Sequence, residues 1–236
     1  MRGTMQFGGM LKNSFIDYPG KICSVVFTVG CNFRCPYCHN PNLVHGNGDV
    51  SLLGEGVLAF LKKRRGLIDG LAITGGEPTL HGALLPFLEK MKVEGFPVKL
   101  DTNGSRPEVL ADILDRGLVD YVAMDLKTLP EAYPQGLGAP SDIASRLKRS
   151  IALIKNSGVR HEFRTTCVRP FVSVELMPEL GTLIAGADRW CLQSCRLDDV
   201  LNPDYFTDPD AAQFTPEEMD MLKAAATPYV ADCRVR

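Results

Sequence analysis

Short apolar, β-branched runs alternate with longer stretches of helical periodicity along almost the whole chain, and no other feature restricts the fold as much. Strands are expected at residues 22–29, 70–74, 97–102, 120–126, 160–168 and 189–193, with a last one at 229–235. Helices are expected at 52–65 after a Ser51 cap, at 82–93 on Leu84, Leu85, Leu88 and Met91, and at 107–116 behind Pro107. Further helices are expected at 141–156, stopped by Gly158, at 175–185, and at 215–226, capped by Thr215 with Pro216 in the first turn. Residues 128–140 and 202–210 read as loops rich in Pro, Gly or Asp. About six βα units without linker or repeat imply a parallel sheet covered by helices, in a partial (β/α) barrel or a doubly wound sheet. In either, ligand groups belong on the loops after the strand C-terminal ends.

The 236 residues, 45% of them hydrophobic, suit one large domain, with a core at about 20–195 and a C-terminal extension at 196–236. A net charge of −2 with mixed signs and no long basic run gives no reason to expect nucleic acid. Residues 1–12 carry no continuous apolar stretch of signal-peptide type, and no apolar run reaches membrane-spanning length. A cytoplasmic location is expected.

Eight cysteines in such a protein point to metal or thiol chemistry rather than a disulfide framework. Three fall within eight residues of one loop, Cys31, Cys35 and Cys38, directly after the first expected strand. Soft thiolates suit zinc or an iron–sulfur cluster. Zinc would need a fourth ligand, His39 or a distant cysteine. Cys35-Pro36-Tyr37-Cys38 alone is a dithiol redox motif of the glutaredoxin kind, which leaves Cys31 unexplained. A cubane held by three cysteines leaves one iron open for chemistry.

Further motifs close the later strands. Gly75-Gly76-Glu77-Pro78 follows the second, where glycines admit close backbone approach and Glu77 can accept from an ammonium group; alone it could be a tight turn. Asp101-Thr102-Asn103-Gly104 ends the third and also fits an Asx turn. Asp125-Leu126-Lys127 ends the fourth, a charged pair at an apolar strand end that requires a partner. Arg164 lies in the fifth strand, where it could grip a carboxylate bidentately, and Gln193 ends the sixth.

C-x3-C-x2-C after a first strand, with GGEP, DTNG and DLK in that order, resembles the radical S-adenosylmethionine superfamily, and within it the glycyl-radical-enzyme activating subgroup. Residues 13–20 and Cys38-His39-Asn40-Pro41 carry the same likeness, which spans roughly 11–193 and is nearest to the activating proteins of anaerobic ribonucleoside-triphosphate reductases. The resemblance implies a partial (β/α)6 barrel of TIM type with the iron–sulfur cluster in the loop after strand 1. It assigns a [4Fe–4S] cluster to Cys31, Cys35 and Cys38, and S-adenosylmethionine to the open iron. Tyr37 would pack at the adenine, with His39 close by. Gly75, Gly76 and Glu77 would take the methionine amino group, Lys127 and Arg164 its carboxylate. Asp101, Asn103 and Asp125 would meet the cofactor's polar groups or a monovalent cation. Gln193 stands where some relatives carry His. Reductive cleavage would give methionine and a 5′-deoxyadenosyl radical that takes hydrogen from a glycine of a partner enzyme, the electron coming from flavodoxin or ferredoxin. Two other functions remain open: radical chemistry on a small molecule, as in 7-carboxy-7-deazaguanine synthases, and non-catalytic electron transfer. No second cysteine-rich insert fits between Asn40 and Ser51.

Cys23 and Cys167 are scattered from the cluster; Cys191, Cys195 and Cys233 read as small apolar residues in preference to a second metal or redox pair, Trp190 as core, His45, His81 and His161 as surface or capping residues, and the acidic stretch 198–210 as a solvated loop in preference to a partner contact.

Overall fold

The computed structural model describes residues 3–45 and 51–236. Residues 46–50, within the short stretch expected to hold no cysteine-rich insert, lie outside the described residues. By its contacts the chain divides into two compact units, one of residues 1–32, 42–102 and 108–122, the other of 33–41, 103–107 and 123–236.

The first unit holds, wholly or in part, β1 (Gln6–Phe7), β2 (Gly9–Ser14), β3 (Cys23–Thr28), α1 (Pro41–Val44), β4 (Leu52–Leu53), α2 (Gly54–Lys63), β5 (Gly70–Gly75), α3 (Leu84–Val93), β6 (Val98–Thr102), α4 (Pro107–Asp115) and the start of β7 (Tyr121–Asp125). β3 pairs in parallel with β5 from Cys23↔Gly70 to Thr28↔Gly75, and β5 with β6 from Leu71↔Val98 to Ile73↔Leu100. These strands read as near-continuous apolar runs because parallel strands flanked by helices are buried on both faces. Ahead of them, β2 runs antiparallel to β3, an element the alternation of apolar runs does not announce.

The helix expected from Ser51 starts later. Leu52 and Leu53 form a short antiparallel pairing with Phe7 and Gln6, and Leu53, with no capping side chain, precedes α2. Pairing of those two residues with the N-terminal segment overrides the local capping signal of Ser51. On α3 the buried stripe is Leu84, Phe87, Leu88 and Met91, so Phe87 takes the place expected of Leu85. Its ring meets Phe7 edge-on at 5.4 Å, which ties α3 to the same N-terminal segment.

The second unit holds the end of β7, α5 (Tyr133–Leu137), α6 (Ile143–Asn156), β8 (Arg160–Cys167), α7 (Met177–Leu183), β9 (Arg189–Ser194), α8 (Pro209–Ala212), α9 (Pro216–Ala226) and β10 (Asp232–Val235). Its strand order is β7-β8-β9-β10. β8 and β9 pair in parallel from Phe163↔Trp190 to Cys167↔Ser194, and β10 lies parallel to β9, the last strand expected from the sequence. α9 carries a capping box in which Thr215 Oγ1 accepts from Glu218 N and a Glu218 carboxylate oxygen accepts from Thr215 N. The stretch 128–140, expected to be loop, folds into a 3₁₀ turn and α5, which ends on Gly138 in the left-handed region at φ 62°. Tyr133 and Leu137, both fully buried, supply the apolar face that makes this turn worth forming.

Buried side chains fix β7, β8 and β9 relative to one another. Trp190 Nε1 donates to Thr165 Oγ1 at 2.9 Å, and Thr165 Oγ1 donates to the Leu126 carbonyl at 2.7 Å. Cys23, Cys167, Cys191 and Cys195 are buried thiols, and Cys233 is half-buried. His161 is buried rather than on the surface, its ring against Phe163 and its Nδ1 2.9 Å from the Val159 carbonyl; His45 is exposed. Among the described residues no helix is long and apolar enough to cross a membrane.

Leu88→Ala should leave a cavity under α3 and cost about 3 kcal/mol. Calorimetry should record this as a fall in Tm of roughly 10 °C. A Tm within a degree of the parent would show that Leu88 is not a core residue.

Candidate active site

In the first unit the strand-end motifs meet as backbone. Gly76 N donates to the Thr28 carbonyl and Glu77 N to the Gly30 carbonyl, each at 2.8 Å. Gly75 sits at φ 111°, and a Cβ on Gly76 would lie 2.0 Å from the Gly30 carbonyl oxygen. Both glycines are therefore required by the approach of this turn to the residue before Cys31. The Glu77 carboxylate is fully buried, and its Oε1 accepts from Thr79 N at 3.0 Å, Thr79 Oγ1 at 2.5 Å and Thr102 Oγ1 at 2.8 Å. Glu77 thus caps the 3₁₀ turn Pro78–Leu80 and fixes the shape of the glycine turn. Asp101, on the same face of β6 as Lys99, pairs with the Lys99 ammonium, which lies 6.0 Å from the Tyr121 ring centre. His81 is half-buried behind this turn, and burial lowers its pKa, opposed by a backbone contact at Val29. Cys31 is half-buried, with its N–H donated to the Val44 carbonyl at 3.3 Å and that of Gly30 to Leu43 at 2.6 Å.

In the second unit the rest of the cysteine loop is bound on two sides. Arg34 N donates to the Leu137 carbonyl at 2.7 Å, and Phe33 meets Tyr133 edge-on at 5.7 Å. Cys38 N donates to the Cys35 carbonyl at 3.1 Å, closing a tight turn with Pro36 at its second position, where a fixed φ suits it. From the other side Leu201 N donates to the Cys38 carbonyl at 3.0 Å and Asn202 N to the Pro36 carbonyl at 2.9 Å. His39 Nε2 donates to the Arg196 carbonyl at 2.7 Å, which sets its tautomer. The acidic stretch expected to be a solvated loop is therefore a backbone partner of the cysteines, while its aspartates are exposed and Asp208 caps α8 through Ala211 N. Its Asp and Pro content records only that outer face.

Three charged residues meet beside this loop. Arg164 reaches Asp125 Oδ1 through Nε and Nη2, each at 2.9 Å, and Lys127 Nζ reaches Oδ2 at 3.0 Å. Lys127 N donates to the Tyr133 hydroxyl at 2.7 Å. Burial alone would raise the Asp125 carboxyl, but Arg164 and Lys127 outweigh it and hold the group well below its ordinary range. Burial likewise works against the Lys127 ammonium, but Asp125, with smaller contributions from Cys35, Tyr37 and Tyr133, holds it well above its usual value. Tyr37 is buried, its phenol pushed well up by burial and by Cys35. Asn103 is buried and its Oδ1 accepts from Ser105 N at 3.0 Å, the Asx turn its sequence allows. Gln193 lies half-buried on β9 opposite Thr166.

The donor set suits soft-metal chemistry. All eight cysteines are free thiols, so none of the three in the loop is spent on a disulfide. Two cations converge on one carboxylate beside Cys35 and Tyr37, an arrangement suited to an anionic ligand group.

Residues 25–175 match the model of the radical SAM superfamily. The chain is 34% identical over 203 residues, 84% of its length and 82% of the relative's, to a Methanocaldococcus jannaschii protein provisionally named a glycyl-radical enzyme activating enzyme. It is 34% identical over 117 residues, 48% of either chain, to the pyruvate formate-lyase-activating enzyme of Clostridium pasteurianum. Among solved structures, Streptococcus suis SuiB bound to S-adenosylmethionine superposes with a TM-score of 0.66 at 16% identity, over 90% of this chain and 49% of that one. The chain belongs to the radical S-adenosylmethionine superfamily and has its α/β fold of partial TIM-barrel type, with mostly parallel strands. It is a radical S-adenosylmethionine enzyme of the activating subgroup, and the cofactors of that superfamily are a [4Fe–4S] cluster and S-adenosylmethionine.

Gly76→Ala should be strongly destabilising, by more than about 3 kcal/mol, since the clash is with backbone. A parent-like thermal melt would contradict the close approach. Asp125→Asn should cost on the order of 3 kcal/mol at pH 7, because two cations lose their carboxylate. The native-state value of Asp125 lies below its unfolded value, so the pairing stabilises the fold above about pH 4 and is lost as pH falls through the native value. The gap between variant and parent in denaturant unfolding should therefore narrow from pH 7 to pH 3. A constant gap would mean that Asp125 does not titrate against this pair.

Proposed function

We propose that this protein activates a partner enzyme by installing a glycyl radical on it, with an anaerobic ribonucleotide reductase as the partner class. The observation that carries the reading is the convergence of Lys127 and Arg164 on Asp125 within electrostatic reach of Cys35 and Tyr37, in a chain alike over most of its length to an activating protein. Cys31, Cys35 and Cys38 hold the cluster, and soft thiolates from one short loop suit that load. Bound there, the cluster and S-adenosylmethionine supply a 5′-deoxyadenosyl radical.

The remaining groups bind and orient. Lys127 and Arg164 face the methionine carboxylate, with Asp125 holding both side chains in place. The carbonyls of the Gly75-Gly76 turn receive the methionine ammonium, and Glu77 keeps that turn in shape. Tyr37 bounds the adenine with His39 close by, and Asn103 and Gln193 meet the cofactor's polar edge. Asp101 in the first unit and Asp125 in the second are each a carboxylate for a monovalent cation or the cofactor's polar groups, in competition with the lysine that pairs with it. The protein works in the cytoplasm and receives its electron from flavodoxin or ferredoxin.

The test is an anaerobic incubation with reductant, S-adenosylmethionine and the organism's own anaerobic ribonucleotide reductase, followed by electron paramagnetic resonance. A glycyl doublet on the reductase with matching 5′-deoxyadenosine is expected. 5′-Deoxyadenosine formed without a doublet, and increased by a small purine-like substrate, would replace this reading with small-molecule chemistry.

A further inference from the structure

A lysine lies inside the first unit, out of reach of solvent. β6 is buried along its whole length, and Lys99 is 1% exposed. Lysine is almost never buried this far without a partner of opposite charge. The partner is two residues along the same face of the strand, where the Lys99 ammonium pairs with Asp101 Oδ1. Asp101 is 6% exposed, so both charges are out of water. Nζ also lies 6.0 Å from the Tyr121 ring centre, where the ring face favours a cation. Tyr121 belongs to one apolar cluster with Tyr18, Cys23, Val25 and Ala72. The Cys23 thiol, pushed up to about 11 by burial and then by Asp17, feels Lys99 as an opposing charge and Asp101 as a reinforcing one.

We propose that Lys99 is the resident cation of Asp101: the chain supplies, as a tethered ammonium, the positive charge that a dissolved monovalent ion would otherwise bring to this carboxylate. The proposal rests on the reading of Asp101 as a carboxylate for such an ion. It decides the competition at Asp101 for the lysine and leaves Asp125 as it stands.

The charge balance carries the argument. Carboxylate and ammonium together are neutral, and a potassium or sodium ion added to them would leave a net positive charge away from water. Buried charge without compensation is what a protein interior tolerates least. An ion could take the place of Lys99 on Asp101, but the ammonium would then be the uncompensated charge. The tether adds to this, because an ammonium held two residues away on a rigid strand is at a local concentration that a dissolved ion has to compete against. Asp101 is followed by Thr102, whose hydroxyl donates to Glu77 Oε1 at 2.8 Å, so the pair also steadies the strand end that braces the glycine turn. Lys99 is a positioning residue here and does not touch a reacting atom.

Thermal melts of the full chain in potassium chloride and in choline chloride, at equal ionic strength, test this. The difference in Tm between the two salts is the response to potassium. No S-adenosylmethionine and no partner enzyme is added, so loss of the glycyl-radical reading would leave these melts unchanged. The parent and the neutral pair Lys99→Met, Asp101→Asn should show the same response, any common part arising away from Asp101. Lys99→Ala, which bares the carboxylate and makes room beside it, should melt several degrees below the parent in choline and recover part of the loss in potassium. Lys99→Ala, Asp101→Asn should lose that recovery, which a merely structural lysine would never have shown. A parent response larger than that of the neutral pair would overturn the proposal, since an ion would then bind Asp101 beside the lysine. A Lys99→Ala response no larger than the parent's would overturn it too, since Asp101 would then hold no ion even when bared. Each comparison decides by itself where the other's variant fails to fold.

Discussion

The loop that carries Cys31, Cys35 and Cys38 has no regular structure of its own, and its conformation depends on hydrogen bonds from other segments. Residues 30–40 form neither helix nor strand. Their backbone is held instead by Leu43 and Val44 at the start, by Leu137 at Arg34, and by Leu201 and Asn202 at Cys38 and Pro36. Ordering an irregular loop costs conformational entropy. Here much of that cost is met in folding, by segments far away in the sequence.

The same logic accounts for the charged residues. Asp125 and Lys127 close β7 and Arg164 lies in β8, 39 residues from Asp125. What brings them to one level is an apolar-side chain of hydrogen bonds, Trp190 to Thr165 to the Leu126 carbonyl, buried on the opposite face of the strand from Arg164. Strand side chains alternate between faces, so fixing Thr165 fixes Arg164. Core packing and site geometry are two faces of one register.

Polar residues in the sequence carried two meanings that only contacts separate. Glu77 is in a motif read as a receiver of an ammonium group, yet its Oε1 serves Thr79 and Thr102 and shapes the glycine turn. The acidic stretch after Cys195 has the composition of solvated loop, and its carboxylates are exposed, but its main chain clamps the cysteine turn. Side-chain chemistry is written in the sequence, while backbone donors are the same at every non-proline residue and leave no mark there.

The sequence alone determined the alternation of strands and helices, the place of each motif at a strand end, and the family, because period, turn chemistry and cysteine spacing are local properties. It did not determine the start of α2, the helical turn at Tyr133, the buried place of His161 or the clamp on the cysteines. Each of these was decided by a partner remote in the chain: Phe7 for Leu52, the apolar burial of Tyr133 and Leu137, Phe163 for His161, Leu201 and Asn202 for the loop. Tertiary structure decided them because the free energy of burial and of hydrogen bonding belongs to pairs, and a single residue's preference is too small to oppose it.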